Sequence, residues 1–118
     1  MILVDTSVWV DHFRRRNEQL ASLLLDGQVL GHPCVHGEVA LGHLRRRSEI
    51  LGLLSELQQA RTATGEEALK FVERHALQGS GVGWVDVHLL AAAALSRASL
   101  WTLDRRLAAV TTRLSLSH

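Results

Sequence analysis

The sequence predicts an α/β fold in which a short parallel sheet is covered by helices on both faces. Three observations carry that prediction. Short apolar runs alternate with stretches of helical periodicity, as in chains of strand–helix–strand units. Two of those runs, ending at Val4 and Trp101, pass through the same kind of sequence, a hydroxyl residue and an Asp followed at once by a helix. The stretch Val85–Leu95 is almost wholly apolar around its circumference, as expected of a helix buried against a sheet.

Taken in order, Ile2–Val4 is an apolar run too short for a helix and reads as a buried strand ending at Asp5. Thr6 or Ser7 is then a suitable N-cap for a helix carrying Val8, Trp9 and Phe13. Asn17 caps a second helix to Leu25, with Gly27 just past its end. Gln28–His32 is a short strand closed by Pro33, which favours a helix start. His36–Leu44 reads as a helix with Val35, Val39, Leu41 and Gly42 at core spacing, and Ser48–Leu57 as another. Ala60–Ala63 is a weak third strand. Thr64 and Glu67 have capping-box spacing at the head of a helix to about Ala76, with Leu69, Phe71 and Val72 inward. Gln78–Gly83 is a Gly-rich connector without the Lys-Ser/Thr ending of a phosphate-binding loop. Ser99–Trp101 is the fourth strand, Asp104 caps a helix to about Val110, and the tail Thr112–His118 either adds an edge strand or trails away.

At 118 residues the chain is read as one domain, 1–118. It is 47% apolar and 21% charged, which excludes a disordered or membrane-embedded class. The lone Cys34 forms no internal disulfide and fits a reducing compartment. Asp5 interrupts the N-terminus, no cationic region precedes an apolar stretch, and the longest apolar run, Leu89–Leu95, is far short of the roughly 20 residues that cross a bilayer. A cytoplasmic protein with no membrane partner is expected. The net charge is +1, yet twelve of the thirteen basic residues are Arg, grouped at Arg14–Arg16, Arg45–Arg47 and Arg105–Arg106. Arg suits bidentate phosphate contacts, while a solvated helix face accounts for such a cluster equally simply.

Four carboxylates carry the chemistry. Asp5 and Asp104 each follow a strand and precede a helix, at the sheet edge where open α/β folds bind ligands; each also suits N-capping. Glu38 has Cys34, Val35, Leu41 and Gly42 at helical spacing and is expected to face packed material, with a salt bridge to Arg45 as its structural reading. Asp86 has Leu89 and Leu90 at the same spacing, with a helix N-terminus as its structural reading. Carboxylates brought to one spot repel unless a divalent cation neutralises them, and hard oxygen donors select Mg²⁺ or Mn²⁺ over zinc. Such a site activates water and stabilises charge developing on a phosphodiester.

Other metal and phosphate chemistries lack their residues. His32, Cys34 and His36 have no matched second pair for zinc. A phospho-acceptor receiver needs a Lys near a late strand, whereas Lys70 lies mid-helix. A haloacid-dehalogenase-type phosphatase needs a second Asp two positions after Asp5, where Ser7 stands.

The segments Val4–Trp9, the Glu38 helix after Pro33, Gly83–Leu90 and Trp101–Leu107, in that order and spacing, resemble a PIN-domain ribonuclease of the VapC toxin type over nearly the whole length. The resemblance implies a three-layer α/β/α sandwich whose first and fourth strands are neighbours. It also implies a metal-dependent endoribonuclease, the toxin of a toxin–antitoxin pair, cutting tRNA or rRNA to leave a 5′-phosphate and a 3′-hydroxyl. On that resemblance Asp5, Glu38, Asp86 and Asp104 are the catalytic, metal-holding quartet for one or two Mg²⁺ or Mn²⁺ ions. Thr6, Ser7 and Thr102 orient carboxylates or water, and Arg14, Arg15, Arg45, Arg46 and Arg105 contact RNA. Some relatives carry a further acid shortly after the third carboxylate; His88, Leu89 and Leu90 stand there instead. The expected partners are a small cognate antitoxin, a second copy in a homodimer, and the RNA. The alternative is a PIN-like module that binds RNA or protein without cutting.

Overall fold

A computed structural model describes residues 1–118. The sheet has three parallel strands, β1 (Ile2–Val4), β2 (Val29–Leu30) and β3 (Ser99–Trp101), in the order β2-β1-β3. Ile2 pairs with Val29 on one side and Ser99 on the other. All three residues of β1 are buried although alternate ones point to opposite faces. Both faces of the central strand are therefore covered, the three-layer α/β arrangement that the sequence implies. No helix is long and apolar enough to cross a membrane.

Seven helices surround the sheet. Between β1 and β2 lie α1 (Thr6–Arg15) and α2 (Glu18–Leu25), and Asn17 caps α2 by accepting from the Leu20 N–H at 3.0 Å. Between β2 and β3 lie α3 (Pro33–Ala40), α4 (Arg47–Glu56), α5 (Gly65–Arg74) and α6 (Trp84–Ser96). The box at the head of α5 is complete, with Thr64 Oγ1 accepting from the Glu67 N–H at 3.1 Å and Glu67 Oε1 from the Thr64 N–H at 2.9 Å. Val87 and Leu89–Ala93 of α6 are buried, and α6 packs on β1 and β3. The last helix, α7 (Arg105–Arg113), follows β3.

The expected strand at Ala60–Ala63 does not form. A single parallel bridge joins Gly31 to Gln59, and the Arg61 N–H then turns to Ser96 Oγ at 2.9 Å, so no ladder continues. The tail adds a matching single bridge on the other edge, Leu100 to Ser117. Two expected core positions face solvent instead: Leu41 is 89% and Leu69 60% exposed. The first helix is capped by Asp5 rather than by Thr6 or Ser7, through its backbone carbonyl alone. The Gly-rich connector runs through left-handed conformations at Gly79 and Gly81, and a Cβ on Gly81 would stand 3.0 Å from Arg106 Cδ. Only glycine suits that turn without strain.

His32 is 3% exposed and caps α3, its Nδ1 accepting from the Cys34 N–H at 3.0 Å. The proton therefore sits on Nε2, which, like the buried Trp9 Nε1, has no protein acceptor. Burial, with His88 nearby, holds His32 below its usual 6.5. The unfolded chain then binds more protons below pH 6.5, so stability present above that value is lost on acidification. His75, shifted the same way, adds to the loss. His32→Asn keeps an acceptor for the Cys34 N–H. It is expected to flatten the fall in urea-unfolding stability between about pH 7 and 5 relative to wild type. Equal slopes for the two proteins would contradict this.

Candidate active site

Because β2 and β3 flank β1 on opposite sides, the connections leave the carboxyl ends of the parallel β1 and β3 in opposite directions, the switch point where open α/β sheets bind ligands. Asp5 stands there as the residue after β1, its N–H bonded to the Trp101 carbonyl of β3 at 2.9 Å. Although it heads a helix, its carboxylate caps no amide. Its Oδ2 instead accepts from Ser7 Oγ at 2.6 Å and Thr102 Oγ1 at 2.7 Å. Ser7 Oγ in turn accepts from the Leu103 N–H, and Thr102 Oγ1 from the Asp104 N–H, both at 3.0 Å. Two hydroxyls thus lock the end of β1 to the end of β3. At 7% exposure, Asp5 is a carboxylate largely out of water and held in one orientation.

The other three approach from helices. Asp104 caps α7, Oδ1 accepting from the Leu107 N–H at 3.0 Å. Asp86, in the first turn of α6, accepts on Oδ2 from the Gly83 N–H at 2.9 Å. Gly83 has no side chain to return that bond, so only half of a capping box exists. Glu38 is exposed rather than packed inward, because the Leu41 side of its helix faces solvent. Its Oε1 accepts from Thr6 Oγ1 at 2.7 Å, which ties α3 to the first residue of α1, and it has no ion pair with Arg45.

One arrangement recurs at all four. Each carboxylate has one oxygen anchored by a protein donor and one with no protein donor. None of them has a Lys, Arg or His within ion-pair distance. They nevertheless act on one another. Burial pushes the Asp86 carboxyl above its usual value, the Gly83 amide opposes that, and the charges of Asp5, Asp104 and Glu38 add to the rise. Charges from four separate elements thus contribute to the environment of Asp86.

No three acidic, His or Cys side chains are already gathered around one point. Mg²⁺ requires no closed protein cage, since it keeps several waters and is held by one or two carboxylates. An all-oxygen donor set with free lone pairs suits Mg²⁺ or Mn²⁺. Cys34 adds no soft ligand: burial, and to a lesser degree Glu38, push its thiol up and keep it protonated.

Sequence reasoning passed over two backbone amides, those of Leu103 and Gly83. Only the second left a signal, a helix-leading Gly three positions before an Asp. Of the five arginines picked out for RNA, Arg14 and Arg45 line a cavity with Glu38, Arg15 is paired to Asp11 at 2.6 Å, and Arg46 and Arg105 are exposed with no carboxylate partner.

The PIN domain profile matches residues 2–112 of the chain. Over 110 residues, 92% of this chain and 89% of the relative, it is 46% identical to the protein named Ribonuclease VapC32 in two strains of Mycobacterium tuberculosis, CDC 1551 / Oshkosh and H37Rv.

The rise at Asp86, caused by burial first and neighbouring charges second, has a measurable consequence. A carboxyl whose folded pKa is raised destabilises the fold above that pKa and not below its unfolded value of 3.8. Asp86→Asn keeps the oxygen that accepts from Gly83 and removes the charge. In chelator the variant is expected to melt above wild type at pH 7, with the gain shrinking on acidification and gone near pH 3.8. A variant that melts lower at pH 7 would show that the Asp86 charge does not destabilise the fold.

Proposed function

The chain belongs to the PIN-domain family, and on that premise we propose that it is a metal-dependent endoribonuclease, the toxin of a toxin–antitoxin pair. The observation that carries the reading is the set of four carboxylates, each anchored through one oxygen with the other left without a protein donor and none paired to a protein cation. A module that only binds RNA or protein has no use for such a set, least of all toward a polyanion.

In this reading Asp5, Glu38, Asp86 and Asp104 hold one or two Mg²⁺ or Mn²⁺ ions through their unanchored oxygens. When bound, the ion supplies a reactive water at neutral pH and stabilises charge developing on the phosphodiester. Ser7 and Thr102 hold Asp5, and Thr6 holds Glu38, so that each free oxygen faces the crevice; outer contacts of this kind tune metal sites. Arg14, Arg15, Arg45, Arg46 and Arg105 offset the local negative potential and bind the RNA backbone. The substrate is structured RNA, tRNA or rRNA, whose unpaired loops expose bases for recognition.

In this reading the antitoxin occupies the apolar groove of about 580 Å³ between α1, α2 and α4, a place supported by its walls of Trp9, Phe13, Leu24, Leu53 and Leu57. Exposed Trp84, Leu95 and Leu103 support a further contact between two copies in a homodimer.

Asp5→Asn preserves the shape that Ser7 and Thr102 grip and removes one negative charge. Cleavage of bulk tRNA and rRNA is expected to fall by more than about 100-fold, beyond the usual loss for outer contacts alone. EDTA is expected to abolish wild-type cleavage and Mn²⁺ to restore it. Cleavage that survives EDTA would remove the metal, and identical RNA profiles for wild type and Asp5→Asn would favour the non-cutting module.

A further inference from the structure

Resting on the ribonuclease reading, we propose that the cavity beside Glu38 is a subsite for one unpaired RNA base next to the scissile phosphate. The cavity holds about 460 Å³ between α1, α3 and the turn leading into α4. Glu38 forms part of its wall, so it is continuous with the carboxylate site. Its other polar lining is cationic or titratable: Arg14, His43 and Arg45. Phe13, Val39 and Ile50 give it an apolar side.

Arg14, Arg45 and Arg46 are the members of the two clusters without a protein partner, and of these Arg14 and Arg45 line the cavity. In the first cluster Arg15 is bound to Asp11 at 2.6 Å and Arg16 to Glu18 at 2.9 Å; in the second, Arg47 donates to the Ala40 carbonyl at 2.9 Å. Arg14 and Arg45 have no hydrogen bond or ion pair and both line this cavity. Guanidinium groups free of protein partners, beside an aromatic ring and an imidazole, are what an unstacked nucleotide uses: stacking for the base and paired N–H donors for the phosphates on either side.

A protein segment is the weaker occupant. The adjoining groove walled by Trp9, Leu53 and Leu57 is mostly aliphatic and aromatic and suits an apolar peptide face. The cavity beside Glu38 pairs an acidic edge with two free cations, the charge pattern that matches a phosphodiester continuing away from a metal-neutralised cleavage point.

The test uses Asp5→Asn protein, which binds without cutting, in Mg²⁺. The probes are a mixed-sequence single-stranded RNA decamer labelled with fluorescein and the same decamer made wholly of abasic ribose phosphates. The intact decamer is expected to bind roughly 10-fold tighter than the abasic one. Adding Arg14→Ala and Arg45→Ala is expected to erase most of that difference, whereas adding Arg61→Ala and Arg74→Ala, the same loss of two charges away from the cavity, is expected to leave it. Both cavity arginines are exposed and unpartnered, so an unchanged melting temperature will separate binding from folding. Equal binding of the two decamers, or equal effects of the cavity pair and the Arg61/Arg74 pair, would overturn the subsite while leaving the nuclease reading intact. The subsite would also fall if the cavity pair released a co-purified protein partner without changing RNA affinity. A wild type that never cuts RNA but shows the expected base preference would sink the nuclease reading and keep the cavity.

Discussion

Burial of Asp5 and Asp86 at the carboxyl edge of the sheet, with like charges nearby and no protein cation beside them, is the constraint on which the rest of this structure depends. Asp5, Glu38, Asp86 and Asp104 come from four elements spread along the chain, yet their charges reach one another at Asp86. Water screens such repulsion, but Asp5 is almost wholly buried and Asp86 half-buried, so part of it remains. The fold supplies no cation to relieve it. Electrostatic cost concentrated where a ligand binds is a common mark of function, because a site tuned for an absent charge is under tension without it.

What holds the groups together against that tension is local hydrogen bonding. Ser7 and Thr102 each accept a backbone N–H from the β3 side and donate to the same Asp5 oxygen, so two strand ends and two helix starts form one unit. Thr6 donates to Glu38 and so ties α1 to α3. The capping of Asp104 and the Gly83–Asp86 bond show that a structural role and a site role can be shared by one carboxylate. One oxygen meets the helix and the other is left for the crevice. For these residues the question of cap or ligand has no exclusive answer.

Much of this was legible in the chain. An apolar run stopping at Asp5 and another stopping before Asp104 marked the paired strands β1 and β3, and Thr64 with Glu67 marked a helix start that formed as spaced. Short-range chemistry decided those features. What sequence could not settle depended on partners far along the chain. Glu38 was expected inward because Leu41 and Gly42 follow it, but α3 ends at Ala40 and Leu41 lies in solvent. Ala60–Ala63 had strand character, but Ser96 takes the Arg61 amide that a ladder needed. The clusters of arginine looked alike in sequence, and only neighbouring acids separate Arg15 and Arg16 from Arg14.

The most direct measurement is an anomalous difference map from crystals grown in Mn²⁺. The account expects a peak at the carboxyl ends of β1 and β3, within ligand distance of at least one of Asp5, Asp86 and Asp104, with waters completing the shell. Crystals saturated with Mn²⁺ that show no peak in that crevice, or an Arg guanidinium seated among the four carboxylates in its place, would contradict it.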